Sequence, residues 1–135
     1  MKRVIAFSLI IITLLCLSSC AYSSSYKATI LITSNELDHC YLSADSIEGR
    51  YVFKVKITGG DEGGIRYNAS LGEGDVTVSY AYGVGGTALP LFTMKSGESV
   101  SDIGGYIEVG KGGTVYIIIE TVGKAKDLKV NIDFE

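Results

Sequence analysis

From Lys27 to the end of the chain, apolar residues recur at every second position in run after run, and glycine separates the runs. In "YVFKVKIT", Tyr51, Phe53, Val55 and Ile57 share one phase, while Lys54, Lys56 and Thr58 share the other. In "GDVTVSYAYG", Val76, Val78, Tyr80 and Tyr82 alternate with Thr77, Ser79 and Ala81. The closing "DLKVNIDF" sets Leu128, Val130, Ile132 and Phe134 against Lys129, Asn131 and Asp133. A period of two is the signature of a strand with one buried face. A helix would need apolar residues three and four apart, and that pattern is almost absent. The chain is therefore expected to be all-β.

The remaining segments fill in the architecture. "YKATILIT" alternates except at Leu31, which adds an apolar residue to the polar phase. "TALPLFTM" contains Pro90, the only proline, which places it at an edge or a bulge because proline cannot donate to a ladder. "GGYIEVG" and "TVYIIIETV" are separated by Gly110 to Gly113, the pattern of a β-hairpin. Ile117, Ile118 and Ile119 are consecutive, as in a strand covered on both faces near a sheet centre. Residues 34–49 fit either one helical turn or a short strand around His39 to Leu42. Sixteen of 17 glycines fall between Gly49 and Gly113 without a three-residue period, which is turn chemistry. Some seven or eight strands at this turn spacing predict an antiparallel β-sandwich, jelly-roll-like, over residues 27–135.

The N-terminus has different chemistry. Lys2 and Arg3 precede a 14-residue run, Val4 to Leu17, interrupted only by Ser8 and Thr13. A helix needs about 20 residues to cross a bilayer, so this run fits the apolar region of a signal peptide. It ends in Leu17-Ser18-Ser19-Cys20, which resembles the lipobox of bacterial lipoproteins. The resemblance implies cleavage of residues 1–19, a signal helix in the precursor, and a diacylglyceryl group on Cys20. Residues 20–26 then form a lipidated cysteine and a short tether. A plain cleaved signal and an uncleaved anchor helix are the alternatives. Two or more acyl chains hold a protein stably, where one holds marginally. Ala21 stands where such lipoproteins carry Asp when kept in an inner membrane. The implied address is the outer membrane of a host that has one, and otherwise the outer face of the cell membrane.

Composition narrows the partners. The full chain has a net charge of −3, and loss of Lys2 and Arg3 with the signal leaves −5 on 116 residues. Nucleic-acid binding needs a basic stripe and is not expected. Of three cysteines, Cys16 lies in the signal and Cys20 in the lipobox, which leaves Cys40 without an intrachain partner and read as a small buried hydrophobe. No disulfide framework holds the fold, so the core must.

Catalytic patterns are missing. His39 is the only histidine, and no CxxC, HExxH, GxSxG or phosphate-loop pattern occurs. His39 and Cys40 are neighbours on a strand or turn, and adjacent strand residues face opposite ways. Asp61 and Glu62 in "GGDEGG", with Glu73 and Asp75 in "GEGD", are weak calcium candidates, since calcium takes six to eight oxygens and local carboxylates fall short. Asn68-Ala69-Ser70 forms a sequon that the bacterial signal makes incidental. Tyr67 and Tyr106 are the tyrosines expected on the surface, where aromatic rings stack on sugars or anchor protein contacts.

The segment "GGTVYIIIETVGKAKDLKVNIDF" is similar to the closing hairpin of bacterial pre-peptidase C-terminal domains, small sandwiches appended to secreted proteins. That resemblance bears on the fold. The resulting expectation is a non-enzymatic, cofactor-free module, lipid-anchored at the cell envelope, that contacts an envelope protein or a glycan. A carbohydrate-binding module and a structural assembly component are the alternatives.

Overall fold

The computed structural model describes residues 22–57, 63–82, 87–107 and 113–134. The signal region and Cys20 lie outside the described residues, as do Asp61 and Glu62. The described residues form six antiparallel strands and no helix: β1 (Ser25–Glu36), β2 (His39–Ile57), β3 (Gly63–Tyr82), β4 (Leu89–Lys95), β5 (Ser99–Ile107) and β6 (Gly113–Phe134). Within the 34–49 region, residues 34–36 close β1 and 39–49 open β2, joined by a turn at Leu37-Asp38 in which Asp38 takes φ +61°.

The expected seven or eight strands become six because β2, β3 and β6 are each about 20 residues long and pass through two layers. The first half of β2 pairs with the second half of β6, which pairs with the first half of β3; β1 and β5 complete that layer in the order β1-β2-β6-β3-β5. The other halves form a four-stranded layer in the order β2-β6-β3-β4. Inward residues of both layers, among them Leu42, Val55, Ile65, Val78, Ile117 and Ile132, belong to one buried cluster. The protein is a β-sandwich folded from a continuous sheet.

The fold lines are at Gly49, Gly74 and Gly123, all at positive φ. The ladder shifts register between Glu48 and Arg50, and again between Glu73 and Asp75. A bend breaks ladder hydrogen bonds, and hydroxyls replace them. The Gly49 N–H donates to Thr121 Oγ1 at 2.9 Å, and the Gly74 N–H donates to Ser96 Oγ at 2.8 Å. Thr121 in turn donates to the Gly123 carbonyl at 2.7 Å. Thr121→Val keeps the shape and strands the Gly49 N–H. It is expected to cost about 1–2 kcal/mol, read as a lower urea midpoint at unchanged slope.

Two expectations about pairing are corrected. β5 and β6 do not form a hairpin with each other, because β5 pairs with β3 in one layer while β6 begins in the other. Glycine marks a change of direction and leaves the partner open. The segment likened to a closing hairpin is one bent strand, β6, whose halves pair with β2 and β3. The isoleucine triplet is where expected: β6 is central, and Ile117, Ile118 and Ile119 are all buried. Pro90 sits on β4, an edge strand, at a register shift.

The side of the sandwich between β1 and the second half of β2 is laced shut. Asn35 Nδ2 donates to the Lys54 carbonyl at 2.9 Å, and the Asp38 N–H donates to the Lys56 carbonyl at 3.0 Å. The Val52 N–H donates to Ser24 Oγ at 2.9 Å. These bonds occupy backbone groups that an open edge would offer to a foreign strand. The expected tether from Tyr22 onward is thus docked on the domain. Tyr22 stacks on Tyr116 with ring centroids 5.1 Å apart, and β1 begins at Ser25, ahead of the expected Lys27.

Candidate functional site: the exposed row on strand β1

The residues singled out from the sequence do not converge. Tyr67, expected on the surface, is buried and stacked on Phe92 at 4.6 Å, because its phase on β3 matches Ile65, Ala69 and Leu71. Burial pushes its phenol pKa up, with a further push from Asp102. Tyr106 lies opposite Gly64 in the β3–β5 register, and its side chain lies outside the described residues. Glu73 faces Lys126 at 3.6 Å, and Asp75 is exposed beyond the Gly74 bend. Among the described residues no group of three metal-ligating side chains forms.

His39 and Cys40 separate as strand geometry requires. His39 Nδ1 lies 2.6 Å from Asp133 Oδ1, its register partner on β6, with both side chains half-exposed. Cys40 is wholly buried in the core. Burial, with a smaller push from Asp133, raises its thiol pKa to about 12. The thiolate is the reactive form, so the folded protein is expected to leave Cys40 unlabelled by a disulfide reagent near pH 8. In a variant with Cys16 and Cys20 replaced by serine, adding denaturant should release one equivalent; labelling before unfolding would show the thiol accessible.

The feature that sequence reading missed is on β1. Ala28 and Leu31 pack against the core, a spacing of three where a regular strand gives two. The extra residue is Ile30, at φ +48°. A β-branched residue in the left-handed region is a true outlier. The irregularity runs across the layer. Ladder pairs are present at Thr29–Ser46 and Leu31–Ala44 but not at Ile30–Asp45, and Asp127, which that register places opposite Asp45, also has positive φ. The kink turns Ile30 outward beside Ile32, leaving them 68% and 59% exposed. Tyr26 and Leu37 are exposed as well, but off this row: Tyr26 shares the phase of Ala28 and leans on Tyr51, and Leu37 lies in the turn after β1. Leu31, the break in alternation, was the visible trace of this kink.

Two shallow depressions lie at the two ends of β1. One, of about 290 Å³, is lined by Ser25, Tyr26, Lys27 and Glu48. The other, of about 260 Å³, is lined by Asn35, Glu36, Leu37, Lys54 and Lys56. Tyr26 is held by Tyr51, whose ring lies 5.1 Å away and meets Phe53 edge-on at 4.8 Å.

No protein-family model and no curated protein matches the sequence. Among solved structures, the chain is similar to the carbohydrate-binding module CsCBM6-3 from Clostridium stercorarium, determined in complex with cellobiose. Identity is 19%, over 84% of this chain and 85% of that one, with a TM-score of 0.43.

Proposed function

We propose that this protein is a non-catalytic interaction module, held at the cell envelope by acylation of Cys20, that grips a protein partner through the exposed row on β1. The observation that carries the contact surface is Ile30. Its conformation costs on the order of 1–3 kcal/mol, and its side chain stands in water. Stability alone favours glycine or asparagine at such a position. A strained, exposed aliphatic residue next to a second one is what a binding surface requires. The address rests on the charged start, the short apolar run and Leu17-Ser18-Ser19-Cys20. Ala21 supports the outer membrane where the host has one.

A photo-crosslinking residue at position 32, in whole cells, tests the contact. A discrete envelope-protein adduct is expected from position 32 and not from position 68, exposed on β3 three strands away. Ile30→Asn should abolish the adduct while leaving stability equal or raised by about 1 kcal/mol, since asparagine tolerates positive φ. Loss of stability with the adduct retained would sink the assignment.

A second reading has its own observation. Tyr26, backed by Tyr51, borders a depression with hydroxyl, ammonium and carboxylate groups, the mix of ring and polar fringe that suits a saccharide. Saccharide binding abolished by Tyr26→Ala and untouched by Ile30→Asn would favour it.

A further inference from the structure

The path of the chain into β1 bears on how the domain meets its membrane. Tyr22 rests on Tyr116, which points away from the core between the buried Val115 and Ile117. From there the chain passes the edge of the four-stranded layer, where Ser24 accepts from the Val52 N–H, and enters β1 opposite Arg50. The residues ahead of β1 therefore start over the outer face of the four-stranded layer. Cys20 is two residues before Tyr22. An extended chain spans at most about 3.6 Å per residue, so the Cys20 Cα lies within about 7 Å of that of Tyr22.

We infer that the outer face of the four-stranded layer, centred on the Tyr22–Tyr116 pair, lies flat against the lipid surface. The inference rests on the proposed acylation of Cys20. An acyl-bearing cysteine sits at headgroup level, and a docked Tyr22 carries this face there with it. Tyrosine suits that level, with an apolar ring and a wet hydroxyl.

Charge supplies an independent observation. The strands of the four-stranded layer carry Arg50, Lys54, Lys56 and Lys95 against Asp75 and Glu120, a surplus of two positive charges. Those of the five-stranded layer carry five bases against seven acids. Lys54 is the register partner of Tyr116, and Glu120 is paired with Arg50 at 2.9 Å. The strands of the four-stranded layer are thus the more basic, which suits anionic headgroups. The same orientation leaves Ile30 and Ile32, on the outer face of the other layer, free for a partner.

The chain contains no tryptophan, so one introduced residue is a unique fluorophore. Tyr116→Trp and Tyr41→Trp place it on the outer faces of the four- and five-stranded layers, respectively. Each full-length precursor is expressed in a bacterial host, and the mature protein is reconstituted into phosphatidylcholine–phosphatidylglycerol vesicles with brominated acyl chains. Intact mass reports acylation of each sample. With Cys20 acylated, bromolipid is expected to lower Tyr116→Trp emission about twofold and leave Tyr41→Trp unchanged. Acylated protein in which both emissions are unchanged, or Tyr41→Trp is quenched more, overturns the orientation and leaves the anchor standing. Protein without an acyl group overturns both, and the mass spectrum alone shows it.

Discussion

Gly49→Ala is expected to destroy most of the stability of the domain. Gly49 sits at φ +117°, a conformation open in practice only to glycine. An added Cβ would overlap the Ser25 carbonyl oxygen and lie 3.0 Å from the Tyr26 Cα, both backbone atoms that cannot swing aside. The chain must either abandon the β1–β2 pairing or straighten the bend, and straightening separates the two layers. The expected loss is about 3 kcal/mol or more, against a total of about 5–15 kcal/mol for a domain of this size. Gly97→Ala is the control. Gly97 also has positive φ, at +78°, but its Cβ would meet nothing within 4 Å. Its cost is confined to backbone strain, about 1–2 kcal/mol. Urea unfolding followed by far-ultraviolet circular dichroism reads both. Equal losses in the two variants would show that the close approach at Gly49 does not exist.

Ile117→Ala carries the second large effect. Ile117 is wholly buried on the central strand, opposite Phe53 on β2 and Tyr80 on β3. Neither neighbour strand can move in to fill the space, since each is paired on both faces of its bend. The cost is the lost burial plus the cavity, toward the upper end of about 2–5 kcal/mol. Ile32→Ala removes the same atoms from an exposed position on β1 and is expected to change stability by less than about 0.5 kcal/mol. If the two variants unfolded at the same urea concentration, β6 would not be the centre of the core. With the photoreactive residue moved to position 34, on the same face of β1, Ile32→Ala should nonetheless weaken the partner crosslink, so the pair separates the residue that holds the fold from the residue that meets a partner.

The strands were legible because local chemistry writes them. Phe53, Val55 and Ile57 are buried, and Lys54 and Lys56 are exposed, as the alternation requires. Pro90 marked an edge strand because a missing donor acts wherever the residue sits. The bends were not legible. Gly123 lies inside β6, between the segments TVYIIIETV and DLKVNIDF that alternation alone presents as two strands. A single residue at positive φ can end a strand or fold it, and the choice depends on what the two halves find to pair with. Tyr67 failed for a related reason: its short segment between glycines did not reveal its phase, which the ladder to β6 sets.

The sequence by itself determined the all-β class, the apolar faces of most strands and the central triplet of β6, because each depends on residues near one another in the chain. Tertiary structure decided which strands pair, that β2, β3 and β6 serve both layers, and that the Tyr22 segment lies against Tyr116. It also decided the row on β1. Ile30 is exposed because the layer kinks across neighbouring strands together, and a kink shared through hydrogen-bonded neighbours is a property of the sheet.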